Sequence, residues 1–367
     1  MMNSNLKNYT LDENLRIFDN GSDEIRLRIG IWNYNEAVIN LTGQSEDFKK
    51  CIRDILNKML EGKSFETTSL KEYNILEEEQ NNIVGLFDGL VAAKMLCSKE
   101  QRELSNKITS CLLGDYKACV MEDVTKEKYN NIDRILFISD SKYCIKTAKD
   151  MAKDMELNMD FISHELYKEI SISDLTTNID AFTTISQIEK LSLEFEKYCG
   201  IVICMHKPKI SLLRNINRIA LKTETPVVST FIDGPFITAF SINPPKTGCI
   251  ECFEQRALSR MEDHVSYQKF ISSNIAKGDE ENKGVVPILN MITNLALSEG
   301  YLLSKLKASK FEGRVLNIYV PCLEIQVEDL LRVPYCPACG NVSKAQLNEM
   351  NLSSRRIVDD IVSKIVD

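Results

Sequence analysis

The chain has 367 residues, enough for two or three domains, with 44% hydrophobic residues, a net charge of −8 and an isoelectric point near 5.3. That acidic balance argues against nucleic-acid binding, which needs a basic footprint, and no apolar run approaches the roughly 18–20 residues of a membrane span. Twelve cysteines without an apolar signal core at the N-terminus predict a reducing, cytoplasmic setting, and the three histidines (His164, His206, His264) have no ligand or triad spacing.

Residues 14–18 read as a short strand, followed by a turn at Gly21-Ser22-Asp23. Residues 24–32 alternate, with Ile25, Leu27, Ile29 and Ile31 on one face and Arg26 and Arg28 on the other, the period of a half-buried strand. After the turn Asn33-Tyr34-Asn35, residues 36–41 alternate again, so three strands form an antiparallel meander. Ser45 caps a helix striped by Phe48, Cys51, Ile52, Ile55, Leu56 and Met59, which stops near Gly62. Residues 69–76 suggest a short second helix, and 77–96 a third that carries Ile83, Leu86, Phe87 and Leu90.

Three strands and three helices make a winged-helix-like layout. The acidic charge and the apolar third helix speak against DNA readout. The open edge of the third strand is instead read as a place where a peptide adds a strand, with a pocket between that strand and the third helix.

Residues 99–119 carry a helical pattern that breaks near Gly114, and 122–131 form a polar link. From Arg134 strands and helices alternate: strands at 134–139, 159–163, 201–205, from 226 and at 236–242, helices at 143–155 and 211–222. This predicts an α/β, doubly wound sheet. Nucleotide-binding sheets of that kind carry a glycine-rich turn after the first strand, where the backbone approaches phosphates. Here the turn is Ser139-Asp140-Ser141-Lys142, without glycine and with a negative charge where a phosphate would sit, so ATP binding is not expected. The rival reading uses Ser139 and Ser141 as phosphate donors. Residues 285–306 form a long helix begun by Pro287, on which Glu299 reads as a solvated charge. Residues 314–320 and 323–327 read as paired strands, and 345–367 as a polar tail ending in an Ile-Val rhythm.

Two cysteine pairs stand far apart in the chain, Cys249-Ile250-Glu251-Cys252 and Cys336-Pro337-Ala338-Cys339. Two intervening residues let a pair of thiolates grip one tetrahedral zinc ion, and a closed four-sulfur shell leaves no open position, so the expected zinc is structural. Turn formers flank each pair: Pro244, Pro245 and Gly248, then Pro334, Pro337 and Gly340. Redox dithiols or buried free thiols are the alternatives.

The stretches Pro226-Val227-Val228, Asp233-Gly234-Pro235, 244–252 and 333–340 resemble the ubiquitin-activating-type (ThiF-like) fold with its four-cysteine zinc site. The N-terminal meander and helices resemble the recognition element that binds leader peptides of ribosomally made, modified peptides. Together they are similar to the ThiF-like partner proteins of azole-forming bacteriocin and thiopeptide cyclodehydratases. The expected organisation is a winged-helix-like peptide-recognition domain at 1–97, a helical linker at 98–130, a ThiF-like domain with zinc knuckles at 131–345 and a tail at 346–367.

The resemblance implies structural zinc on Cys249, Cys252, Cys336 and Cys339. It implies leader contacts at Ala37, Val38, Ile39, Asn40 and Leu41, with Leu86, Phe87 and Leu90 behind them. Active adenylating members use the glycine loop, a helper arginine and a metal-binding aspartate, and this chain departs at the loop. The resemblance therefore implies a scaffold without catalytic residues. It would present a precursor peptide to a separate ATP-dependent YcaO-type cyclodehydratase, with an azoline dehydrogenase as a further partner and a homodimer as its assembly. The alternative is ATP-dependent adenylation of a peptide C-terminus.

Overall fold

A computed structural model describes residues 7–11, 15–32, 34–93, 95–98, 133–176, 181–271 and 283–340. The expected helix at 99–119, the link at 122–131 and the tail at 345–367 lie outside the described residues. The chain divides into two compact units, Met1–Lys128 and Tyr129–Asp367.

Unit 1 contains β1 (Asn8–Leu11), β2 (Leu15–Asp19), β3 (Glu24–Ile29), β4 (Asn35–Asn40), α1 (Glu46–Leu60), β5 (Phe65–Glu66), a 3-10 turn (Thr67–Glu72), α2 (Glu77–Ala92) and β6 (Leu96–Ser98). The meander runs in the order β2-β3-β4, with Ile25 opposite Ile39 and Leu27 opposite Ala37. Alternation turns Ile25, Leu27 and Ile39 inward, where they are buried. Arg26 and Arg28 stand on the other face and share the Glu36 carboxylate at 3.0 and 2.7 Å. A second small sheet, β5-β1-β6, has no counterpart in the sequence reading. The second helix expected at 69–76 is only the 3-10 turn.

Glu79 joins two helix starts in unit 1. Ser45 Oγ accepts from the Phe48 amide at 3.1 Å to cap α1, and donates to Glu79 Oε1 at 2.7 Å. Glu79 Oε2 accepts from the Leu76 amide at 3.0 Å, which satisfies one orphan donor of α2.

Unit 2 contains β7 (Ile135–Ser139), α3 (Lys142–Asp154), β8 (Met159–Phe161), α4 (His164–Ile172), α5 (Ala181–Phe195), β9 (Gly200–Met205), α6 (Ile210–Thr223), β10 (Val227–Asp233), β11 (Phe236–Ile242), α7 (Ile250–Leu258), α8 (His264–Ile271), α9 (Val286–Leu306), β12 (Arg314–Tyr319) and β13 (Glu324–Asp329). Its seven strands run in the order β13-β12-β11-β10-β9-β7-β8. Only β8, β7, β9 and β10 are parallel; β11, β12 and β13 are antiparallel. The expected doubly wound sheet is therefore a large mixed sheet. The cause is the link Gly234-Pro235 between β10 and β11, with Gly234 at φ +55°. A two-residue connection joins antiparallel neighbours, whereas a parallel return needs a crossover of a dozen residues or more.

Helices cover both faces of the parallel half. Leu136, Ile138, Ile201 and Ile203 share a core with Leu191 and Phe195 of α5 and Leu212 and Ile216 of α6. On the opposite face α9 comes close enough that a Cβ at Gly300 would lie 2.9 Å from Ile135 Cδ1 and 3.0 Å from Val202 Cγ2. Glu299, one residue before, is not the solvated charge expected. It is fully buried and accepts from Ser309 Oγ and the Lys310 amide, each at 2.7 Å, with Lys310 Nζ at 3.3 Å. That pairing offsets the cost of burying a carboxylate and ties the end of α9 to the segment entering β12. Among the described residues no helix is long and apolar enough to cross a membrane.

Candidate metal centre and sheet crevice

The two cysteine pairs meet. Cys249 stands immediately before α7 and Cys252 lies in its first turn, while Cys336 and Cys339 sit on the turn that follows β13. All four Sγ atoms lie within 4.8 Å of one another. Three of the separations are 3.8 Å (Cys249–Cys252), 3.6 Å (Cys249–Cys336) and 3.4 Å (Cys252–Cys339). A tetrahedron with zinc–sulfur bonds near 2.3 Å has edges of about 3.8 Å, so the four sulfurs fit one zinc ion. The same distances are far too long for disulfides, and all four thiols are free.

The backbone around the sulfurs has no room to spare. A Cβ at Gly340 would lie 2.5 Å from the Cys336 carbonyl oxygen, and one at Gly248 2.8 Å from that of Leu330. The Val333 amide donates to Cys252 Sγ at 3.3 Å. Hydrogen bonding from Cys249 is the first cause that holds the Cys252 thiol well below the ordinary range, and it lowers Cys336 to about 7, whereas hydrogen bonding with Cys252 pushes the Cys249 thiol far up and Cys339 is raised as well. Without a metal the four sulfurs share their protons, two held towards thiolate and two towards thiol, and a bound ion takes all four as thiolates.

Two bidentate ion pairs fix the first knuckle, and the sequence reading missed both. Arg218 of α6 holds Glu251 at 2.8 and 2.9 Å, and Arg214 holds Glu254 at 2.8 and 2.6 Å. Asn217 Oδ1 accepts from the Ile250 amide at 3.1 Å. The signal was available: arginines four apart on one helix and glutamates three apart on another each present one face.

The second feature is a crevice in the sheet. Strand order reverses between β7 and β9, the place where open α/β sheets take ligands beyond their carboxyl ends. In the loop after β7, Ser139 Oγ accepts from the Ser141 amide, and Ser141 Oγ accepts from the Cys144 amide, each at 3.1 Å. Both serines are buried, so they serve the turn and the cap of α3 rather than a phosphate. The Asp140 carboxylate crosses the crevice and accepts from the amides of His206 at 2.7 Å and Lys207 at 2.8 Å, in the loop after β9. Desolvation of the carboxyl raises it above its ordinary range, against the pull of the two amides, although the residue as a whole stays exposed.

In unit 1, β4 is an edge strand whose one partner among the described strands is β3. Of the residues expected to hold a leader, Val38 and Asn40 are exposed, and Ala37 and Leu86 are half-buried against the core. Ile39, Leu41, Phe87 and Leu90 are buried in that core. Phe87 packs with ring centroids 5.5 Å from Tyr9 and 5.3 Å from Phe65. Exposed apolar side chains that the sequence reading passed over are Phe18, Trp32 and Tyr34. The Arg28 guanidinium stacks 4.1 Å above the Tyr34 ring.

No family model and no curated protein sequence matches the chain. Its fold does match solved structures. E. coli MccB with ATP aligns at TM-score 0.51 and 15% identity, over 91% of this chain and 100% of MccB. A heterocyclase in complex with substrate and cofactor aligns at 0.52 and 11%, over 91% of this chain and 39% of its own length. The heterocyclase TruD aligns at 0.51 and 12%, over 92% of this chain and 43% of its own. The chain thus spans about two fifths of these heterocyclases.

These matches correct the expectation of a chain without an activity of its own. The fold it shares over nine tenths of its length belongs to heterocyclases and to a protein solved with ATP. The missing glycine turn, on which that expectation rested, concerns only how one loop meets a phosphate.

Proposed function

We propose that the chain is a peptide-binding component of a machinery that modifies ribosomally made peptides. The supporting observation is a fold shared over about nine tenths of the chain with two heterocyclases and with MccB. In this reading unit 1 is the winged-helix-like recognition element. The leader adds a strand beside β4, where backbone donors and acceptors line an open edge. Val38 and Asn40 give the side-chain contacts, with Ala37 and Leu86 beside the core. Cys249, Cys252, Cys336 and Cys339 hold one structural zinc ion, which clamps the start of α7 to the turn after β13.

The part of a heterocyclase that this chain does not span is assigned to an ATP-dependent YcaO-type cyclodehydratase. That partner converts Cys, Ser or Thr of the held peptide into azolines, and an azoline dehydrogenase completes the azoles. The chain acts as a homodimer. A second reading, adenylation of a peptide C-terminus, is favoured by one observation: MccB, which the chain matches over its full length, is solved with ATP.

Fluorescence anisotropy of the cognate leader, labelled and titrated with the full chain, tests the first reading. Saturable binding without ATP is expected. Absence of binding, with the cyclodehydratase present or omitted, rules it out. ATP–pyrophosphate exchange that depends on the peptide and needs only the isolated chain selects the second reading instead.

A further inference from the structure

We propose that the stretch 357–367 folds as an amphipathic helix across the outer end of the large sheet and covers the apolar row of β13.

The face to be covered carries the first half of the argument. β13 ends the sheet, and all six of its residues are exposed. Its sequence is nonetheless patterned. Glu324, Gln326 and Glu328 stand on one side, Ile325 and Val327 on the other, the alternation of a strand with one face buried. Register sets Ile325 beside Ile318 and Ile237, and Val327 beside Leu316 and Ala239. Along those two rows Ile237 and Ala239 are fully buried, Ile318 and Leu316 are each 7% exposed, and Ile325 and Val327 are 62% and 54% exposed. The buried face of the sheet thus runs on to its edge and loses its cover at the last strand. Leu323 just before β13 and Leu331 just after it are exposed as well. Apolar side chains gathered in this way mark a contact surface, which scattered single ones do not.

The occupant follows from the rest of the sequence. Gly340 stands at the end of the turn that carries Cys336 and Cys339. That turn adjoins the end of β13: a Cβ at Gly248 would lie 2.8 Å from the Leu330 carbonyl oxygen, and the Val333 amide donates to Cys252 Sγ. The chain therefore leaves from beside the strand it is to cover. Further on, Ile357-Val358, Ile361-Val362 and Ile365-Val366 recur every four residues with polar residues between. That interval gathers six apolar side chains on one side of a helix, and divides them between both sides of a strand. Ser353 and Ser354 precede it as N-cap residues. A helix over 357–367 is about 16 Å long, against roughly 13 Å from Leu323 to Val327. The connecting stretch 341–356 reaches up to about 50 Å, so length does not forbid the contact. So short a helix, rich in β-branched residues, is marginal unless its stripe is packed. Unit 2 thus offers an apolar strand row without a cover and an apolar stripe in need of one. A second copy fits the edge poorly. Antiparallel pairing centred on two β13 strands sets Glu324 against Glu328 or Asp329, and like charges directly opposite repel.

The contact lies within unit 2 and does not rest on leader binding, which concerns unit 1. Hydrogen exchange of the full chain, read by mass spectrometry, tests it. The amides of 357–367 are expected to exchange about tenfold or more slowly than in a free peptide of the same sequence. Val327→Asp and Ile361→Asp should each return them to the free rate, whereas Gln326→Arg, on the other side of β13, should leave them protected. Val327 is exposed, so its replacement leaves the core intact. Free-rate exchange in the natural chain overturns the proposal. Protection that survives Val327→Asp also overturns it, because the stretch then packs elsewhere. Loss of protection shared by Gln326→Arg reports a disturbed strand and overturns it too. Protection that fades on dilution places the stripe on a second copy, and the proposal falls.

Discussion

Four sulfurs packed as closely as those of Cys249, Cys252, Cys336 and Cys339 repel one another as thiolates, and a central divalent cation removes that repulsion. Replacing Cys336 with serine is therefore expected to take zinc from one ion per chain towards none by metal analysis. The melting midpoint of unit 2 should fall by an amount that reflects at least about 3 kcal/mol, or roughly 6–12 °C for a unit of this size. An unchanged melt with no metal in either protein removes the zinc from the picture. Beside the knuckle, Arg218 and Glu251 are both largely buried. Arg218→Met leaves the Glu251 carboxylate without its partner and should cost about 3–5 kcal/mol in denaturant unfolding. The double variant Arg218→Met, Glu251→Met should recover most of that loss. If the two variants are equally unstable, the pair itself, and not a stranded charge, supplies the stability.

Among the elements, β4 separates what a peptide can touch from what the core has consumed. Val38→Glu places a charge on an exposed position of the edge strand and should weaken leader binding by roughly tenfold, about 1.4 kcal/mol, without shifting the melt. Phe87→Ala removes a fully buried ring from the Tyr9–Phe65–Phe87 cluster and should cost unit 1 about 3–5 kcal/mol. Leader affinity that survives Val38→Glu moves the binding strand elsewhere. The meander was legible in the sequence because Ile25, Leu27, Ile39 and their outward neighbours keep a strict period of two. The sheet β5-β1-β6 was not, because its strands have two, four and three residues and pair Tyr9 with Ser98 across the whole unit. Periodicity needs more residues than that, and no local pattern encodes so distant a partner. Phe87 and Leu90, expected behind the leader contacts, lie buried in the core, and the sequence could not say how deep, because an apolar helix stripe looks the same whether it lines a groove or fills a core.

For the whole molecule, spacing was more legible than topology. The cysteine pairs announced a common centre because two intervals of that length suit four thiolates around one ion, and the structure does bring the four sulfurs together. The mixed sheet was hidden because a buried strand reads as an apolar run in either direction, and only the short link Gly234-Pro235 betrays the turn to antiparallel pairing. The same division into units makes a thermodynamic prediction. The core built from Tyr9, Ile25, Phe48 and Phe87 belongs wholly to unit 1, whereas the sheet core and the four cysteines belong to unit 2. A metal that binds only folded unit 2 stabilises that unit by mass action and leaves the other untouched. Differential scanning calorimetry of the full chain should show two transitions. A zinc chelator should lower one of them, and added zinc should restore it. The transition that does not move should be the one that Phe87→Ala lowers. If chelation shifts both transitions together, the two cores unfold as one body. If it shifts neither, the four sulfurs hold no ion that the fold depends on.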